Sequence, residues 1–210
     1  MHIAEGILSP PVLAGGALVA LAGLAQGLRT VKPQTVPRVG VISAALFIAA
    51  LIHVPIGVAS AHLTLTGLAG LLLGWAAFPA IFVALLLQAI LFQFGGLTTL
   101  GVNTIATALP ALVVFVLFRR SLHSRGAWGF VGPFLGGALG VALAGVTVAA
   151  ALFLSDDTAF TEAAVAVLLA HVPIMVIEGV LCAFCVGFLR TVKPELLPAP
   201  KQRRELASAS

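Results

Sequence analysis

HLTLTGLAGLLLGWAAFPAIFVALLLQAILFQF, residues 62–94, runs for 33 residues without a Lys, Arg, Asp or Glu. Crossing the ~30 Å hydrocarbon core of a bilayer takes about 20 residues as a helix. The stretch is therefore too long for one ordinary crossing and short for two. The choice fixes the parity of every later loop. The residues around Trp75–Pro79, with a glycine before and a proline after, are the natural place for a break.

Working outward, 60% of the 210 residues are hydrophobic and 9% charged, with a mean hydropathy of +1.17. Soluble domains carry roughly 25% charged residues, so this chain cannot supply a polar skin and its solvent must be lipid. Further apolar spans fall near 11–28, 38–57, 101–118, 127–154 and 163–189. Positive charge marks the cytoplasmic side of such proteins. If 62–94 crosses and returns, Arg29, Lys32, Arg38, Arg119, Arg120 and Arg125 share one side. Arg190, Lys193, Lys201, Arg203 and Arg204 join them, which accounts for all eleven basic residues. Glu5, Asp156, Asp157 and Glu162 then fall opposite. A single crossing strands eight of the eleven outside. Charge favours the return but does not separate two crossings from a re-entrant hairpin.

The expectation is an all-α integral membrane protein of about seven transmembrane helices, with the N-terminus outside and the C-terminus cytoplasmic. Residues 1–197 form one transmembrane domain, and 198–210 a flexible basic cytoplasmic tail. The pI near 9.8 reflects helix ends facing an anionic leaflet, and the basic residues form no patch interleaved with aromatics that would bind nucleic acid. The front of the first apolar segment lacks the basic region of a signal peptide. Met1 is therefore expected to remain the terminus, the more so as His2 is bulky. Gly132, Gly136, Gly140 and Ala144 make a small-residue ridge suited to close helix packing, read as internal. Ser43, Ala44, Ala45, Ala49 and Ala50 offer a second small face, a sliding contact or merely lipid-facing. Cys182 and Cys185 read as two membrane-buried thiols.

Ionisable groups in a membrane are candidates for function. Four of the five histidines, His2, His53, His62 and His171, fall toward the outer side. A free terminal amine, the amide nitrogen of residue 2 and the His2 imidazole close five- and six-membered chelate rings around one ion. The amide must lose its proton, which Ni²⁺ or Cu²⁺ assists and Co²⁺ less readily. One more imidazole completes a square N₄ set, a geometry of nickel or copper. His62, flanked by Ser60, Thr64 and Thr66, opens a span so short that its start must lie below the outer surface. His53 is either a ligand or an interfacial histidine. His171 and Glu178, two helical turns apart, share a face and serve as interhelical hydrogen-bonding groups or stand behind the ligands. There is no GxxxxGK[ST] for ATP, nor HExxH or GxSxG.

MHIAEG at 1–6, IHVPIGVASAHL at 52–63, LLLQAILFQFGGLTTLGVNT at 85–104 and HVPIMVIEG at 171–179 resemble the cobalt/nickel S components of energy-coupling factor transporters, the CbiM/NikM family. The resemblance covers about residues 1–197. It implies an extra first helix with the terminus outside, and a metal held by the terminal amine, the amide nitrogen and imidazole of His2, and His62. The family's loop is often SSxHxTG-like. Here Ser60-Ala61-His62-Leu63-Thr64-Leu65-Thr66-Gly67 keeps the histidine and displaces part of the polar surround. Gly95, Gly96, Thr98, Thr99 and Asn103 fall in the family's signature outer loop, where they shape or hydrogen-bond the site or form a structural turn.

The resemblance also implies Co²⁺ or Ni²⁺ as the transported substrate and no nucleotide bound by this chain. It implies a bacterial inner-membrane location and three partners: a CbiQ-like T component, a CbiO-like ATPase and a small CbiN-like membrane subunit. A self-sufficient secondary transporter and an intramembrane metalloenzyme built on His62, His171 and Glu178 are the competing functions.

Overall fold

The uncharged stretch breaks where its glycine and proline suggest. In the computed structural model, which describes residues 2–56, 59–155 and 160–198, it forms α3 (Thr66–Leu73) and α4 (Ala77–Phe92), joined by a tight helical turn at Gly74–Ala76. Gly74 sits at φ +57°, a backbone that side chains resist. The helices around this pair are α1 (Pro10–Thr30), α2 (Val36–Ala49), α5 (Leu100–Phe118), α6 (Trp128–Phe153) and α7 (Phe160–Val192).

Packing partners show that the chain reverses. On α3, Gly70 lies against the Ala111 backbone, and Gly74 then meets the Phe115 ring near the end of α5. The turn abuts the end of α1, with the Trp75 carbonyl and Pro79 at Gly27 and Phe78 at Gly23. From there α4 climbs back, until Phe92 meets Phe47 and Phe94 meets the His2 ring ahead of α1. The reversal lies level with the ends of α1 and α5. Only the start is deep. Gly67 packs on Gly140, halfway along α6, and the eight residues of α3 span about 12 Å.

Among the described residues, five helical stretches are long and apolar enough to cross a membrane, counting Thr66–Phe92 as one, with Pro33–Ala49 a shorter apolar helix. The described basic residues gather at the end where α1 and α5 finish. There Arg190 donates to the Ser121 and Leu122 carbonyls and Arg38 to the Leu196 carbonyl. Glu5 lies at the opposite end, bonded to the Thr98 amide.

One expected span is corrected. The second helix stops at Ala49, not residue 57, and His53–Ile56 (β1) pairs antiparallel with Ala59–His62 (β2). Pro55 lacks an amide proton and disfavours helix in the residue before it, while Val54 and Ile56 suit extended backbone. The register sets His53 opposite His62.

The ridge on α6 is internal, as expected. Gly132 faces Ser121, Gly136 faces Val114 and Leu71, and Gly140 faces the Gly67 backbone. With lipid outside, such close approach is what holds helices together. Ser43, Ala49 and Ala50 are also buried, and the Ser43 hydroxyl donates to the Ala80 carbonyl. Of the same small-residue set, Ala44 is exposed and Ala45 half-buried. Cys182 is buried and Cys185 half-buried, both free thiols.

Candidate metal centre

The start of the chain is threaded into the bundle. Ile3 and Leu8 are buried against Val102, Ala106 and Val148. Asn103 on α5 grips Ile3 at two points: its Oδ1 accepts from the Ile3 amide at 2.9 Å, and its Nδ2 donates to the Ile3 carbonyl at 3.1 Å. A carboxamide can mimic a neighbouring strand in this way, satisfying a buried peptide that has no ladder of its own. Nδ2 also donates to Thr99 Oγ1 at 3.2 Å, and the Thr99 hydroxyl donates to the Gly96 carbonyl at 3.3 Å. Gly95, at φ +79°, leaves no room for a side chain. A Cβ there would lie 2.8 Å from Asn103 Nδ2 and 3.5 Å from His2 Cβ.

This anchoring delivers His2 to His62. Their ring centroids are 4.8 Å apart with planes at 16°. His62 Nδ1 lies 3.1 Å from the Leu63 carbonyl. A carbonyl can only accept, so Nδ1 is the donor in this contact. His2 also stacks with Phe94, at 6.4 Å between centroids.

The loop after His62 is tied to α7. Glu178, 1% exposed in the middle of the bundle, presents Oε1 to the Thr64 amide, to the Thr64 hydroxyl at 2.8 Å and to the Leu65 amide at 2.9 Å. The Thr66 hydroxyl, 3.0 Å from Thr64 Oγ1, extends the chain. Leu65 sits at φ +48°, a left-handed conformation that costs a branched side chain about 1–2 kcal/mol. Two amide protons bound by one buried carboxyl group hold it there. That carboxyl fixes where α3 begins and hence the depth of His62.

Of the residues singled out from sequence, His2, His62, Thr64, Thr99, Asn103 and Glu178 come together in this region. Thr98 takes part through its backbone amide, bonded to Glu5. His171 is buried on α7, two turns before Glu178. Met1 and the tail beyond Pro198 lie outside the described residues. So do the side chains of His53 and Ser60, whose backbones lie in the hairpin. Gln88 and Phe94 were not anticipated. Gln88 is the one amide within the apolar run Gly67–Phe92, and a polar group at that depth is itself a signal.

Among the described residues, no three of His, Cys, Asp and Glu converge.

The sequence profile described as "Cobalt uptake substrate-specific transmembrane region", CbiM, matches residues 2–196. A Haemophilus influenzae protein whose name says no more than metal transport is 39% identical, covering 94% of this chain and 97% of its own. The cobalt transport protein CbiM of Sorangium cellulosum is 36% identical over 94% of each chain. A crystal structure of a transition metal transporter superposes with a TM-score of 0.79 at 27% identity, covering 91% of this chain and 93% of that one. The threaded terminus, the paired histidines and these likenesses agree: the chain belongs to the CbiM family of membrane components for cobalt and nickel uptake.

Proposed function

We propose that the chain captures Co²⁺ or Ni²⁺ from outside the cell, as the substrate-specific subunit of an energy-coupling factor ABC importer in a bacterial inner membrane. The ion is the cargo. Its ligands are the Met1 amine, the amide nitrogen and Nδ1 of His2, and His62 Nε2. The N-terminus faces outward and the basic helix ends face the cytoplasm, following the positive-inside rule. The chain binds no nucleotide and catalyses no reaction. Residues 1–197 act as one metal-binding membrane domain, with 198–210 a cytoplasmic tail.

One observation carries the reading: His2 and His62 stand 4.8 Å apart although 59 positions separate them in sequence. With metal–nitrogen bonds of about 2.0 Å, two imidazoles at adjacent corners of a square set have centroids about 4.5 Å apart. Loading then asks for ring rotation with little translation. The work of threading the terminus is already done by Asn103, Gly95 and Glu5.

Energy for uptake comes from partners: a CbiQ-like scaffold, a CbiO-like ATPase and a CbiN-like small subunit. Support for the first and last is that relatives occur as fusions named CbiMQ and NikMN. This chain spans 36% and 38% of those two relatives.

Two variants test the proposal, one with residues added before Met1 and one with His2→Ala. Both should lose high-affinity Co²⁺ and Ni²⁺ binding in calorimetry while the purified protein stays folded. Unchanged affinity in either variant defeats the ligand set.

A further inference from the structure

Gln88 sits on the inward face of α4, and its side chain is only half satisfied. It is 2% exposed. Nε2 donates a long hydrogen bond, 3.5 Å, to the Leu46 carbonyl. Oε1 has no hydrogen-bond partner among the described residues. Buried carbonyl oxygens without a donor are rare because they lose water and gain nothing. At hydrocarbon depth there is still less to compensate them.

The cavity around Gln88 gives the oxygen a purpose. Its walls include both His2 and His62, with Gln88 and Thr107 among apolar Leu46 and Leu85. The Thr107 hydroxyl proton is already given to the Asn103 carbonyl at 3.1 Å. No described group donates to Gln88 Oε1. The proposed nitrogen set occupies a plane and leaves both faces of the ion open. A neutral, hard oxygen in the same cavity is suited to one of those faces. Apolar walls would strengthen the contact by keeping the dielectric low.

We propose that Gln88 is a specificity-determining residue: its carboxamide oxygen contacts the bound ion from outside the nitrogen plane, directly or through one water, and favours Co²⁺ over Ni²⁺. The inference rests on the metal-capture reading above. The two ions respond differently to such a donor. Ni²⁺ in a strong-field N₄ plane containing an ionised amide gains little from a fifth ligand. Co²⁺ readily takes one. Removing the oxygen should therefore penalise cobalt selectively.

The test compares wild type, Gln88→Leu, Gln88→Glu and His2→Ala, each purified intact and titrated with CoCl₂ and NiCl₂ by calorimetry. The visible spectrum of the cobalt form is recorded in parallel. Gln88→Leu should weaken Co²⁺ about tenfold, the lower end of what groups supporting a metal site contribute, and leave Ni²⁺ within about twofold. Its cobalt ligand-field bands should shift in position and intensity. Gln88→Glu keeps an oxygen at the site and should retain cobalt binding, which guards against a mere packing defect in the leucine variant. Equal weakening of both ions, no change for either, or an unaltered cobalt spectrum would overturn the role assigned to Gln88. The capture reading fails separately, if wild type binds neither ion or His2→Ala binds both normally.

Discussion

Replacing Asn103 by alanine should release the start of the chain. Asn103 makes two hydrogen bonds to the Ile3 peptide, at 2.9 and 3.1 Å. Neither has a substitute in the alanine variant. Each bond contributes about 0.5–1.5 kcal/mol net, so the pair contributes about 1–3 kcal/mol to docking of the terminus. If the segment stayed docked, two buried backbone groups would go unpaired and the cost would be larger. Undocking is the cheaper response. Because every 1.4 kcal/mol is tenfold, metal affinity should fall about tenfold to a hundredfold. The fold should persist, since α5 keeps its other contacts with α1, α4 and α6. Asn103→Asp keeps an oxygen for the Ile3 amide but cannot donate to the Ile3 carbonyl when ionised, so it should lose about as much or more. Calorimetric titration of Co²⁺ and Ni²⁺, with thermal unfolding in detergent as the folding control, makes the comparison. An alanine variant that binds metal as wild type does would refute the idea that the clamp positions His2.

Three further outcomes follow from the same geometry. Glu178→Ala strips the acceptor from the Thr64 and Leu65 amides and should destabilise the protein by about 2–5 kcal/mol, read as a lowered unfolding midpoint; Glu178→Gln, which keeps an acceptor oxygen, should lose less, and equal stability of the alanine variant and wild type would contradict this. Gly95→Ala forces a side chain onto φ +79° and against Asn103 Nδ2, so metal affinity should drop about tenfold with the helical content unchanged by circular dichroism. Gly140→Leu drives atoms into the Gly67 backbone, 2.8 Å from where its Cβ would stand, and should cost at least the 1–3 kcal/mol typical of overpacking, seen as loss of monodisperse protein or of thermal stability.

How much of this was legible in the sequence differs from element to element. Residues 62–94 could be read as a turn-and-return because charge parity is a global constraint that one span cannot escape. The depth of α3 was also legible, since a helix too short to cross must begin inside. The β1–β2 hairpin was not. Leu51–Val58 is as apolar as a helix end, and only Pro55 and the pairing of His53 with His62 distinguish it. At the site, position 2 and the loop histidine could be nominated from chelate chemistry together with resemblance, because both are local facts. The clamp from Asn103 to Ile3 joins residues 100 apart, and Glu178 reaches Thr64 across 114. No periodicity encodes such pairings. They exist because buried backbone groups at membrane depth must find partners wherever the fold provides them.

Anomalous diffraction from crystals of the cobalt- or nickel-loaded protein, collected at each metal's absorption edge, measures directly whether the chain start forms the metal site. The account predicts one peak about 2 Å from the Met1 amine, the His2 amide nitrogen, His2 Nδ1 and His62 Nε2. A peak elsewhere, with the first two residues away from His62, would contradict it.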